Sequence, residues 1–90
     1  MRPHPHQVAH VHFAPASPDD EARGLLGFVS LQLGSLFVGG VALRRSRQGR
    51  LWLSWPAPRG FPLVRPLDER ARRSIEAQVF AALGLQEART

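Results

Sequence analysis

The chain has 90 residues, with eight Pro, eight Gly, no Cys and no Lys, and a net charge of +5 from twelve Arg against seven acids. That length supports a single domain, here residues 1–90, and the absence of cysteine excludes disulfide and thiolate chemistry. The start of the chain lacks the apolar stretch of a signal peptide, so a cytoplasmic protein is the expectation.

In chain order, "HPHQVAHVH" comes first and holds all four histidines, His4, His6, His10 and His12. Every interval is even, so a strand would line them up on one face. Pro3 and Pro5 place the first pair ahead of any sheet. A structural metal site also needs four ligands converging tetrahedrally, whereas a row along a strand spreads them out. No metal site is expected. "VAHVHF", residues 8–13, alternates and reads as a first strand, with Ala9, Val11 and Phe13 on one face. Val8, His10 and His12 take the other, where the histidines would be surface groups that add charge in acid. Residues 14–22, "APASPDDEA", read as a polar loop with two Pro and three acids.

Residues 24–43 carry no charge and are followed by "RRSRQGR", the outline of a membrane-spanning helix with a basic flank. Five Gly, two Ser, Gln32 and the period-two run "VSLQL" argue instead for strands. Gly34-Ser35 sits where a two-residue hairpin turn belongs. The reading is two buried strands, 25–33 and 36–43, with Gly39-Gly40 marking a bulge or a close backbone approach. Residues 44–49 form a basic connection. "RLWLSW", residues 50–55, is a fourth strand, with Leu51, Leu53 and Trp55 on one side and Trp52 and Ser54 on the other. Pro56, Pro58, Gly60 and Pro62 forbid regular central structure, leaving an irregular loop and a short edge strand through Leu63 and Val64.

One helix follows. Asp68 is its N-cap and Glu69 suits the first-turn dipole. Leu67, Ala71, Ile75, Val79 and Ala82–Leu83 make an apolar stripe at helical spacing, and Gly84 is placed to end it. Residues 1–7 and 85–90 are expected to be flexible. The fold class is therefore α+β, an antiparallel meander of four to five strands with one C-terminal amphipathic helix packed on its apolar face.

Several stretches resemble the stage V sporulation protein G family of septation regulators (SpoVG). "SLQL" and "LFVGGVAL" across a tight turn are similar to its second hairpin. "QGRLWLSWP" is similar to its strand ending in an apolar residue and proline, with Gly49, Leu51, Trp52, Leu53, Trp55 and Pro56 filling the pattern. "RPLDERARRSIEAQV" is similar to its closing step and helix through Pro66, Leu67, Asp68, Arg72, Ile75 and Val79. "VAHVHF" matches the first strand, with His12 where a basic residue would sit. The likeness spans most of residues 8–83 and lies in the order and spacing of the pieces. It implies a small bacterial β-sheet-plus-helix protein, a homodimer that binds DNA and RNA as a regulator, with no enzymatic activity; no cofactor is expected. Arg59 matches the second residue of the family's Lys-Arg pair and Arg72 an arginine of its helix. The Lys of that pair is Pro58 here, and Gly39 and Gly40 stand where the family has a His and an acid.

The charge distribution points the same way. Residues 44–73 hold nine arginines, Arg44, Arg45, Arg47, Arg50, Arg59, Arg65, Arg70, Arg72 and Arg73, against Asp68 and Glu69, a net of +7. Guanidinium groups suit phosphate, and such a concentration fits a polyanion partner. These nine are the candidate nucleic-acid-binding residues. Arg72 with Glu76 and Glu69 with Arg73 are spaced for ion pairs along a solvated helix face, but Arg70 and Arg73 share an outward side with too few acids to neutralise both, and with Arg59 and Arg65 beside the helix N-terminus they are expected to form a phosphate-positioning patch. One of Trp52 and Trp55 belongs to the core; the other could stack on a base, although an outward Trp on a strand more often packs under a loop or at a dimer interface. No catalytic constellation stands out: there is no Cys or Tyr, and no serine has a base and an orienting partner at a suggestive spacing. No small-molecule substrate is expected. The competing readings are a protein-interaction or structural module whose charge serves solubility, and a membrane-anchored protein through residues 24–43.

Overall fold

A computed structural model describes residues 7–61 and 63–85. His4, His6 and most of the two termini expected to be flexible lie outside the described residues. The elements in order are β1 (Val8–Pro15), α1 (Pro18–Ala22), β2 (Leu25–Leu33), β3 (Leu36–Arg45), β4 (Leu51–Ser54) and α2 (Glu69–Leu83), with a 3-10 turn over Pro58–Gly60 before α2. The strands form one antiparallel sheet in the order β1-β2-β3-β4, and α2 packs on one face of it. The fold is the α+β meander with a C-terminal helix that the patterning requires.

Residues 24–43 form the β2–β3 hairpin and not a helix, but the strands are buried on one face only, with Phe28 and Phe37 exposed on the other, because α2 covers a single side of the sheet. Leu33 pairs with Leu36, and Gly34 takes the first turn position with φ of +60°. That is the handedness a two-residue turn needs to match the strand twist. No helix among the described residues is long and apolar enough to cross a membrane. The pairing shifts between Val29 and Leu31, where Gly39 and Gly40 supply an extra residue on β3 and Gly40 has φ of +71°. This is the expected bulge.

Several expectations are corrected. Residues 18–22 form a short helix, capped by the Ser17 hydroxyl, which accepts the Asp20 N–H at 3.2 Å. Pro18 at the first helical position and three acids in the first turn favour it. Leu63 and Val64 form no strand. Arg44 and Arg45 belong to β3, paired with Trp52 and Leu51, and not to the connection. That connection is a tight turn in which the Ser46 N–H reaches the Arg50 carbonyl at 2.8 Å and the Ser46 hydroxyl accepts the Arg50 N–H at 3.0 Å.

A further correction concerns β1. The pairing with β2 slips between Ala9 and His12, and His10 has φ of +51°. Two residues of β1 thus oppose one of β2, which resets the alternation. Val8 and Val11 therefore both pack against the core, although three residues apart, and Ala9 and His12 fall on the opposite face across from Gln32 and Ser30. The even spacing of the histidines does not put His10 and His12 in one regular row.

The core lies between the sheet and α2. Val29, Leu31, Val38, Val41, Leu43, Leu51 and Leu53 meet Ile75, Val79 and Phe80. Leu67, read as the first residue of the apolar stripe, is 83% exposed because it precedes the Asp68 cap and does not belong to the helix. The Asp68 carboxylate accepts the Ala71 N–H at 2.8 Å, and Gly84 ends the helix in the left-handed conformation.

Two polar side chains tie α2 to both edges of the sheet. Gln78 accepts the Val8 N–H of β1 at 3.0 Å. Glu76 accepts the Leu53 N–H of β4 at 2.9 Å. Glu76 is 6% exposed, not on a solvated face as its spacing from Arg72 implied. A buried carboxylate needs its acceptors filled, and Arg72 supplies a second donor at 2.6 Å.

Candidate functional site

The nine arginines do not form one patch; the fold sorts them into groups. Arg44 projects from β3 on the face of the sheet opposite α2, directly across from Trp52 of β4. Arg45 and Arg47 lie at the end of the same strand and just beyond it. They line an open cleft of about 540 Å³ together with Glu21, Gly24 and Arg23. Arg23 follows α1 and reaches this place because its neighbour Gly24 bonds β3, the Arg45 N–H meeting the Gly24 carbonyl at 2.8 Å. Arg23 lies outside the basic third of the chain and was not among the candidates. Its one signal was position, two residues before the strand whose partner ends in Arg44-Arg45.

Arg50, Arg72 and Arg73 come together on the helix side, around a groove of about 180 Å³ that also includes Glu76 and Phe80. Here acids match the cations. Arg72 forms ion pairs with Glu69 and with Glu76, and Arg73 with Glu69 at 3.2 Å. The hydrogen bond from Arg72, helped by its charge and by Arg73, pulls the Glu69 carboxyl down to about 2. The same bond pushes the Arg72 guanidinium above its ordinary value. These are all the ion pairs among the described residues, so Arg23, Arg44, Arg45, Arg47, Arg50, Arg59, Arg65 and Arg70 have no acid partner there.

Arg59 and Arg65 sit exposed on the segment between β4 and α2, Arg59 with φ of +55°. Asp68 already caps the start of α2, which lowers the attraction of that end for an anion. Arg70 is exposed on the first turn.

The tryptophans divide as their alternation predicts. Trp55 packs against the core, its indole N–H buried and without a hydrogen-bond partner. Trp52 is half-buried on the opposite face with Arg44. That face also carries Phe28, 46% exposed, and Phe37, 77% exposed. At its far end His10, His12 and Phe37 line a second open groove of about 520 Å³. No group of three or more metal-ligating side chains occurs among the described residues.

Searches against family models, curated proteins and solved structures returned no match for this chain. The resemblance drawn from the residues thus stands on the residues alone.

Proposed function

We propose that this protein is a nucleic-acid-binding regulator of the stage V sporulation protein G type, acting as a cytoplasmic homodimer without enzymatic activity. One observation carries the reading. Arg23, Arg45 and Arg47 surround one cleft at the end of the sheet against a single acid, Glu21, and Arg44 precedes Arg45 in β3, projecting to the open face. Guanidinium groups held together without neutralising partners are attracted to phosphate, and contacts of this kind fix position on a backbone more than they read sequence. Arg50, Arg72 and Arg73 contribute less, because Glu69 and Glu76 offset two of them. The homodimer is supported by the resemblance and by the apolar segment after β4, where Phe61, Leu63 and Leu67 are 74%, 74% and 83% exposed.

The test is binding to a labelled DNA duplex across a salt series. Neutralisation of about five phosphates gives a log–log salt slope of about −4.5. Replacing Arg44, Arg45 and Arg47 together by Ala weakens binding to every sequence and flattens the slope to about −2. No retardation at low salt by the unaltered protein overturns the reading.

A further inference from the structure

We infer that the face of the sheet opposite α2 is a platform for single-stranded nucleic acid, on which Phe37, Phe28 and Trp52 stack with bases while Arg44 and the end cleft hold the backbone. The inference rests on the nucleic-acid reading above and names the form of the ligand.

The register places these side chains on one surface. Phe28 lies across from Ala42, and Ala42 from Ser54; Arg44 lies across from Trp52; Phe37 lies across from Gln32. Each is out of phase with the core positions Val29, Leu43 and Leu53. The aromatic rings are therefore spread along the sheet from the β2–β3 turn to the arginine end. β3 alone, at 10 residues, covers about 33 Å of that path. Small flat sheets with outward aromatics and a flanking cation bind single strands because every base has a stacking face, whatever its sequence. In a duplex the bases already stack on one another and offer no such face to a flat sheet.

A second copy of the chain is the other candidate for covering apolar side chains. Charge argues against it. None of the four strands contains an acidic residue, so the outward positions of the sheet include Arg44 and no carboxylate. A two-fold interface meets itself. Two copies joined here would bring together surfaces that each carry Arg44 and no anion to match it. A polyanion that also carries flat apolar rings satisfies both features.

The experiment compares a fluorescein-labelled oligo-dT about 16 nucleotides long with a duplex of the same length, titrated with the full chain at low salt. The variants are Phe37→Ala, Trp52→Ala and the triple Arg44/Arg45/Arg47→Ala. Circular dichroism shows whether each is folded, and Phe37, largely exposed, is the substitution least able to disturb the core. The expected result is that the single strand binds more tightly than the duplex. Phe37→Ala and Trp52→Ala each weaken single-strand binding by about 5- to 150-fold and barely change duplex binding. If the triple variant loses binding while folded Phe37→Ala and Trp52→Ala bind oligo-dT as the unaltered chain does, the stacking platform is overturned and the phosphate-binding reading survives. If sedimentation shows Phe37→Ala turning a dimer into a monomer with oligo-dT affinity unchanged, the face belongs to a second copy and the inference falls. If neither nucleic acid is bound at low salt, the parent reading has failed and this one with it.

Discussion

On one face of the sheet, Leu31, Val41, Leu43 and Leu53 lie beneath Ile75 and Val79 with almost no exposure; on the other, Phe28, Phe37, Arg44 and Trp52 project where α2 does not reach. Both faces come from the same strands, alternating residue by residue. Their difference separates two uses of apolar side chains. Those under α2 are removed from water and stabilise the fold, whereas those on the open face gain only partial cover from their neighbours. Large exposed rings on a folded surface contribute little to folding, so their chemistry is free to serve a ligand.

The comparison breaks most sharply in a pair of truncations. Leu31→Ala, at a position with no exposure, is expected to cost about 2–5 kcal/mol in urea unfolding. Phe37→Ala, although it removes a larger side chain, should stay within about 0.5 kcal/mol of the unaltered protein. Similar losses at both positions would mean that the open face is covered in solution.

A smaller effect tests how α2 holds its face. Glu76→Ala removes the acceptor of the Leu53 N–H and one partner of Arg72, and is expected to cost about 1–3 kcal/mol by the same measurement. Glu76→Gln keeps an oxygen for Leu53 and should recover part of the loss. An unchanged midpoint in Glu76→Ala would show that packing alone holds α2 to β4.

The smallest effect is electrostatic and sits on the outward side of α2. The Glu69 carboxyl is lowered from 4.5 to about 2 by Arg72 and Arg73. A depressed carboxyl contributes stability that is present above its unfolded value and lost as pH falls through the folded one. The melting temperature of the unaltered chain should therefore exceed that of Glu69→Gln at pH 7, and the gap should close between about pH 4.5 and 2. Glu69 is exposed, so the gap is small and shrinks with added salt. A gap that stays constant with pH would exclude the ion pairs as its source.

Much of the fold was legible because the signals were local. The alternation in residues 25–33 and 51–54, the Gly34 turn, the Gly39-Gly40 bulge, the Asp68 cap and the Gly84 stop each depend on a few neighbouring residues. α1 was legible too: Ser17, Pro18 and the following acids form a helix start, outweighed in the reading by the loop-like composition of residues 14–22. The β1 bulge was not, since His10 takes φ of +51° only because Val8 and Val11 must both reach a core assembled from β2 and α2.

The sequence by itself determined the four strands and the C-terminal helix in their order, the two faces of β4, and the concentration of arginine in one third of the chain. Only the tertiary structure decided which arginines lie together. It drew Arg23 to Arg45 and Arg47, set Arg72 and Arg73 beside Glu69, and buried Glu76 against β4. The physical reason is range. Backbone geometry answers to neighbouring residues, but the field at a charge depends on whatever the chain folds against it, and that is written in no single stretch.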